Sequence, residues 1–302
     1  MLVSVVIRTL NEEEHLEELL QAIAVQKVAA HEIETVIVDS GSTDSTLNIA
    51  ERYGCRVTFI SQADFSFGRS LNIGCEFANG GYLVFVSGHC IPVDEDWLAN
   101  LIKPLQENVA SYSYGRQLGR DTTKYSEHRF FEKTFPEYSK IPQQGYFCNN
   151  ANAAITRESW QQFKFDEELS GLEDMHLAQQ LVNSEGNVAY VADAPVYHIH
   201  NESWKQVRIR YEREAYALHQ IMPQLHFTLG DFARYFLSGT LSDTSAAIRE
   251  GRFLREFPGI FIFRLMHYWG TYKGNHEVRR LSHELKQRYF YAKDMERDLY
   301  HD

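Results

Sequence analysis

Residues 34–54, ETVIVDSGSTDSTLNIAERYG, place a strand, a polar corner and a helix in one run, and their reading decides the fold. The apolar, β-branched stretch ending at Asp39 suits a buried strand. Ser40–Thr46 then turns into a helix carrying Leu47, Ala50 and Tyr53, closed by Gly54. The same rhythm continues on either side. Upstream, VSVVI (3–7) is short, β-branched and apolar on both faces, and Leu16, Leu19, Leu20 and Ile23 follow at helical spacing. Asn11 stands as an N-cap there, with Glu14 three residues on. Downstream come the strand RVTFIS (56–61) and a helix with Leu71, Gly74, Cys75 and Ala78 on one face. That helix stops at Asn79-Gly80-Gly81, before a fourth strand, YLVFV (82–86). This βαβαβαβ alternation predicts an α/β fold, with a mostly parallel sheet flanked by helices.

The 302 residues suffice for one large domain, or one domain with an appendage. Hydrophobic residues at 44% and charged residues at 24% describe an ordinary globular chain. A formal net charge of -11 argues against nucleic acid as a partner, since phosphate binding needs a basic surface. Cys55, Cys75, Cys90 and Cys148 show no metal-finger or C-x-x-C spacing, so reduced thiols and a cytoplasmic location are expected. The strand at residues 3–7 comes almost at once, without the basic region and apolar core of a signal peptide, so none is expected. No apolar run approaches the ~20 residues of a spanning helix.

From about Trp97 to Tyr197 helix and strand signals mix, and beyond Ser203 the chain reads as helices rich in Phe, Tyr and Arg. The expected organisation is an α/β domain over 1–205, in halves of about 1–100 and about 101–205. A helical region follows over 206–302.

Polar residues gather where the strands end. Thr9, Asn11 and Glu12 follow the first strand, Asp39 and Ser40 end the second, and Ser87, Gly88 and His89 follow the fourth. That edge of a parallel sheet is where ligand crevices form. Asp39 suits a ribose hydroxyl or a base N–H, although a carboxylate beside a helix start is also an ordinary cap.

Taken in order, VSVVIRTLNEEEHLEELLQAI, ETVIVDSGSTDST, FSFGRSLNIGCEFANGGYLVFVSGHCIPVDEDWL, NNANAAITRESW and LSGLEDMHLAQQL resemble the family 2 glycosyltransferases. These segments cover roughly residues 3–205. The F-x-x-G-x-x-x-N-x-G pattern of Phe65–Gly74 is similar to bacterial enzymes that build surface polysaccharides, including rhamnosyltransferases. The resemblance implies a GT-A fold, a nucleotide-sugar donor, a glycan or lipid-linked acceptor, and inversion at the anomeric carbon. It makes 1–205 the catalytic domain, with the nucleotide-binding half at about 1–100 and the acceptor half at about 101–205. It implies that Thr9, Asn11, Glu12 and Asp39 hold the nucleoside, with Arg69 and Asn72 near the base or diphosphate. Asn149, Asn150 and Asn152 would face the donor sugar or the acceptor.

Inverting transfer needs a base for the acceptor's proton and positive charge for the departing diphosphate. The resemblance points to Asp174 as base, with Glu173 orienting it. Met175, Ala178, Leu181 and Val182 would form the packed side of their helix, whose dipole would keep the carboxylate ionised. Most members carry Asp-x-Asp after strand four to bind Mg²⁺ or Mn²⁺, whereas this chain has Ser87-Gly88-His89. His198 and His200, two apart on a strand, would point to one face. Three outcomes stay open: the histidines ligate a divalent metal, they stabilise the diphosphate directly, or the site binds without catalysis. A glycan-binding or nucleotide-sugar-binding protein and a sugar nucleotidyltransferase are the alternatives in function. The acidic RTLNEEEH lacks the basic, Gly-rich phosphate loop of the latter.

Phe253, Phe257, Ile260, Phe261, Phe263, Leu265, Trp269 and Tyr272 interleave with Arg252, Arg255, Arg264 and Lys273. One reading is peripheral contact with the inner face of the cytoplasmic membrane. The other is packing against the catalytic domain or a second subunit.

Overall fold

In the computed structural model, which describes residues 2–28, 32–276 and 289–290, the first strand-helix repeats run as the apolar periodicity requires. β1 (Leu2–Thr9), α1 (Leu16–Ala24), β2 (Glu32–Asp39), α2 (Thr46–Arg52), β3 (Arg56–Phe59), α3 (Phe67–Phe77) and β4 (Tyr82–Ser87) follow in turn. Then come β5 (Cys90–Pro92), α4 (Trp97–Gln106), β6 (Tyr112–Leu118), α5 (Tyr125–Thr134), β7 (Asn152–Thr156), α6 (Arg157–Phe163), α7 (Glu173–Asn183) and β8 (Val188–His198). The chain divides into two compact units, 1–121 with 131–168 and 173–200, and 122–130 with 169–172 and 201–302.

Within the first unit the strands form one eight-stranded sheet in the order β3-β2-β1-β4-β7-β6-β8-β5. Its first four strands are parallel neighbours, β7 runs against both β4 and β6, β8 is parallel to β6, and β5 runs against β8. The order reverses at β1, between β2 and β4, so the carboxyl ends of these strands open the crevice typical of a switch point. Register pairs Thr9 with Asp39 and Arg8 with Ser87, bringing residues from distant segments to one edge. Leu16, Leu19, Leu20 and Ile23 of α1 and Trp97, Leu98, Leu101 and Ile102 of α4 share a core with Val3, Val5 and Ile7. Burying each such side chain is worth about 1.5–3 kcal/mol, which fixes that edge firmly.

Asn11 is not the expected N-cap. Its φ is 53°, α1 begins at Leu16, and the Asn11 Oδ1 accepts the Thr43 N–H at 2.9 Å. Asparagine tolerates this left-handed turn better than most residues, and its side chain ties the first strand-to-helix loop to the second.

The second unit contains α8 (Trp204–Ile221), α9 (Leu229–Arg249) and α10 (Phe253–Asn275). Capping boxes at Ser203/Gln206 and Thr228/Asp231 start α8 and α9. Gly270 and Gly274 let α10 approach α8 so closely that a methyl group at Gly274 would collide with the Glu212 carbonyl. Arg264 of α10 and Asp243 of α9, both buried, join through two hydrogen bonds of 2.7 and 3.0 Å. The aromatic-arginine segment therefore divides. Ile260, Phe263 and Arg264 turn inward, while Leu254, Phe257, Phe261 and Trp269 stay exposed. No helix among the described residues is long and apolar enough to cross a membrane.

Candidate active site

Where β1 and β2 end, Thr9 and Asp39 brace each other. The Thr9 hydroxyl donates to Asp39 Oδ2 at 2.9 Å, and the Ser42 hydroxyl donates to the same oxygen. Oδ1 accepts the N–H groups of Gly41 and Ser42, each at 2.9 Å. The four acceptor positions of this fully buried carboxylate are thus filled by the chain itself. Asp39 holds the Ser40–Thr43 loop in shape, and Asn11 lies against that loop.

Ser87, Gly88 and His89 occupy the turn between β4 and β5. A Cβ at Gly88 would sit 2.9 Å from Glu12 Cγ, so only glycine lets Glu12 lie alongside. Glu12 Oε1 is 3.1 Å from His89 Nδ1. Cys90 pairs with His198 across β5 and β8, and the Ile199 N–H donates to the His89 carbonyl at 3.1 Å. That pairing stacks the rings of His89 and His198 at 5.3 Å and brings His200 to 4.0 Å from His198. The three histidines offer ring nitrogens within 4.8 Å of one another. Phe131 stacks on His198 at 5.9 Å and forms an apolar wall.

One partner of this cluster has no sequence signal. Between Gly115 and Gln117 the β6–β8 register shifts by a bulge, which turns Gln117 toward His198 at 2.7 Å. Asn152, expected to face the sugar, instead fills that bulge. Its amide donates to the carbonyls of Arg116 and Ala194, and its Oδ1 accepts from the Trp97 indole at 2.9 Å.

Asp174 lies in the first turn of α7, buried rather than displayed at an open helix end. Its Oδ2 accepts the Asn150 N–H and its Oδ1 the Met175 N–H, both at 2.7 Å. The helix start does not keep it strongly ionised, as the sequence suggested. Burial, and then the neighbouring charge of Glu173, push its pKa up to about 7, and the two N–H donors and Arg8 offset this only in part. Arg8 pairs with Glu173 at 3.4 Å and lies over the Phe67 ring. A lone arginine at the end of an apolar strand was the available signal for it. The side chain of Asn150 is buried, its Oδ1 taking the Tyr112 hydroxyl while its Nδ2 has no partner among the described residues.

Arg69 and Asn72 both meet Glu167. Arg69 pairs with Glu167 at 2.8 Å. The Asn72 amide donates to the Phe165 carbonyl and Glu167, and its Oδ1 accepts from the Trp160 indole and the Phe165 N–H. With every hydrogen-bonding position used, Asn72 fastens α3 to the segment after α6 and has none left for a donor.

Residues 4–163 match the model of Glycosyl transferase family 2, more than half of the chain. The chain belongs to that family. As a family 2 glycosyltransferase it is similar to the O-antigen chain rhamnosyltransferase RfbN of Salmonella typhimurium, 25% identical over 223 residues, which cover 70% of each chain. It is also similar to the O-antigen chain rhamnosyltransferase WbaN of Salmonella anatum, 28% identical over 199 residues. That match spans 62% of this chain and a little under two thirds, 63%, of WbaN. Among solved structures, a mannosyltransferase from Pyrobaculum calidifontis in complex with GDP-Man and Mn²⁺ superposes with a TM-score of 0.64 at 18% identity. The superposition covers 92% of this glycosyltransferase and 88% of that chain, and shows that both have the GT-A fold. Glu173, Asp174, His198 and His200 lie beyond the residues matched to the family model.

The donor set at the β5–β8 end suits a transition-metal ion better than Mg²⁺. Imidazole nitrogen is a good ligand for transition ions, whereas Mg²⁺ prefers oxygen in octahedral geometry. Two of the three rings already carry an oxygen acceptor on Nδ1, the outer-shell arrangement usual for metal-ligating histidine.

Proposed function

We propose that this glycosyltransferase moves a sugar, with inversion, from a nucleoside diphosphate-sugar to a hydroxyl of a glycan or lipid-linked acceptor, in surface polysaccharide assembly. The observation that carries this reading is Asp174: a buried carboxylate, aimed by two backbone N–H groups, with a pKa near the working pH. In the transfer, the acceptor oxygen bonds to the anomeric carbon as the bond to the diphosphate oxygen breaks. The acceptor's proton goes to Asp174, and the nucleoside diphosphate leaves with the electron pair. A base with a pKa near 7 combines enough ionised form with enough driving force for proton transfer. Glu173, held by Arg8, sets the charge beside that base. The buried, unpartnered Nδ2 of Asn150 is suited to a sugar or acceptor hydroxyl.

Adjacent residues join the base to the histidine cluster. The Asn150 N–H holds Asp174, and the Asn149 side chain holds Gln117, which meets His198. Consecutive Cα atoms are ~3.8 Å apart, so the base and the histidine cluster are both tied to one short stretch of loop. A divalent ion held by His89, His198 and His200 would supply positive charge for the departing diphosphate. Asn11, Glu12, Ser87 and Gly88 would line the nucleoside side, over the loop that Thr9 and Asp39 brace. The polysaccharide assignment takes its support from the two O-antigen rhamnosyltransferase relatives.

The direct experiment screens nucleotide-activated rhamnose, GDP-mannose and UDP-N-acetylglucosamine by thermal shift, with Mn²⁺, Zn²⁺, Mg²⁺ or chelator, and then assays transfer. Selective stabilisation by one donor, and a product of opposite anomeric configuration, are expected. A product that retains the donor's configuration overturns the single-displacement reading.

We further propose that the exposed face of α9 and α10, including Leu237, Leu241, Ile248, Leu254, Phe257 and Phe261, rests on an anionic lipid surface. Residues 229–276 carry six Arg or Lys against four Asp or Glu, a local +2 in a chain of -11, which is the charge such a surface requires.

A further inference from the structure

We propose that Gln117 and Glu12 are positioning residues that present His89 and His198 through Nε2 to a three-imidazole metal site, and that this site selects Zn²⁺ or Co²⁺ over Mg²⁺. This rests on the metal reading above and adds the ligating nitrogens, their supports and the ion.

The orientation of His198 follows from a chain of hydrogen bonds anchored on the backbone. The Ala151 N–H can only donate, so the Asn149 atom that it meets at 3.0 Å is the carbonyl oxygen. That oxygen also receives the Gln117 side chain at 3.0 Å, so the atom Gln117 presents there is its NH₂ nitrogen. The other end of the amide, its carbonyl oxygen, therefore faces His198 Nδ1 at 2.7 Å. A carbonyl can only accept, so Nδ1 carries the hydrogen, and the lone pair of the neutral ring lies on Nε2. His89 follows the same logic, because the Glu12 carboxylate beside its Nδ1 is an acceptor. Neither support is incidental to the fold. The β6–β8 bulge turns Gln117 to the ring, and the missing side chain at Gly88 makes room for Glu12.

The donor set also determines the ion. Three imidazoles with ring nitrogens within 4.8 Å of one another match the preference of zinc and cobalt for nitrogen. They supply no oxygen for Mg²⁺, which dehydrates reluctantly and favours carboxylates.

The full chain is stripped with chelator and titrated separately with Co²⁺, Zn²⁺ and Mg²⁺. Heat is followed for all three, and visible absorption for Co²⁺. Co²⁺ and Zn²⁺ should bind at least about 100-fold more tightly than Mg²⁺, and Co²⁺ should give ligand-field bands. Gln117→Leu should weaken Co²⁺ by about 10–100-fold, the usual effect of removing an outer-shell partner. Gln117→Glu, which keeps an acceptor on Nδ1, should stay within about 3-fold of the parent. Nitrogen-15 correlation spectra of the metal-free parent should show His198 protonated at Nδ1, a readout that stands even if Gln117→Leu does not fold. Protonation at Nε2, or equal Co²⁺ affinity in the parent and Gln117→Leu, overturns the positioning role and leaves the metal reading intact. Equal affinity for Mg²⁺ and Co²⁺ overturns the selectivity. If none of the three ions binds the parent, the metal reading falls and takes this inference with it.

Discussion

The backbone N–H of Asn150 donates to Asp174 Oδ2 at 2.7 Å, tying a carboxylate on α7 to the loop that enters β7. The bond fixes the carboxylate's direction, while burial sets its proton affinity. Asp174→Asn should lower kcat by at least 10²-fold, the lower end of what a positioned general base contributes, with donor affinity within about 3-fold. Single-turnover transfer and a donor titration on the same preparation check both halves.

The raised pKa also bears on stability. The folded state retains a proton that the unfolded chain, with an ordinary carboxylate value of ~3.9, has lost, so this group disfavours folding as pH rises toward 7. Below the unfolded value both states are protonated and the effect vanishes. The Tm of Asp174→Asn minus that of the parent should therefore rise between pH 4 and pH 8, whatever constant offset the lost acceptor adds. A difference that is flat with pH would show that Asp174 titrates normally.

Activity should climb with pH on a limb centred near 7. Arg8→Gln removes a positive charge that favours ionisation, so the limb should move to higher pH. Glu173→Gln removes a negative charge and should move it to lower pH, and further, since Glu173 weighs more on Asp174 than Arg8 does. Opposite shifts in kcat/KM profiles are the expected result; shifts of the same sign would mean that another group controls the limb.

Gly88→Ala should displace Glu12 and loosen its bond to His89. A loss of about 10–100-fold in kcat/KM is expected, similar to that of Glu12→Ala. The double variant should lose little more than either alone, since both changes break one contact. Additive losses in that double-mutant cycle would separate the two residues.

In the second unit, Asp243→Ala strands the buried Arg264 charge and should cost about 3–5 kcal/mol. Asp243→Leu with Arg264→Met should recover most of it, because no unpaired charge remains. Denaturant midpoints at constant slope measure this.

Sedimentation with phosphatidylglycerol vesicles at low salt should capture the full chain, and Arg249→Glu with Arg255→Glu should release it. Equal capture by neutral vesicles, or none by anionic ones, would remove the lipid surface as the partner of α9 and α10.

The sequence by itself determined the alternation of strand and helix, because apolar period and turn residues are local properties. It also showed where polar residues would gather, since the ends of parallel strands share one edge. His89, His198 and His200 could be nominated from spacing, but their contact depends on β5 pairing with β8. What only the tertiary structure decided is how each group is spent. Asn72 and Asn152 were nominated as ligands, and their amides fasten segments 36 to 95 residues apart in sequence, which no local pattern shows. Gln117 was invisible because a bulge, not a motif, aims it. Asp174 was legible as a carboxylate at a helix start, yet its proton affinity was not. Desolvation there outweighs the helix end, and burial is a property of the packed fold alone.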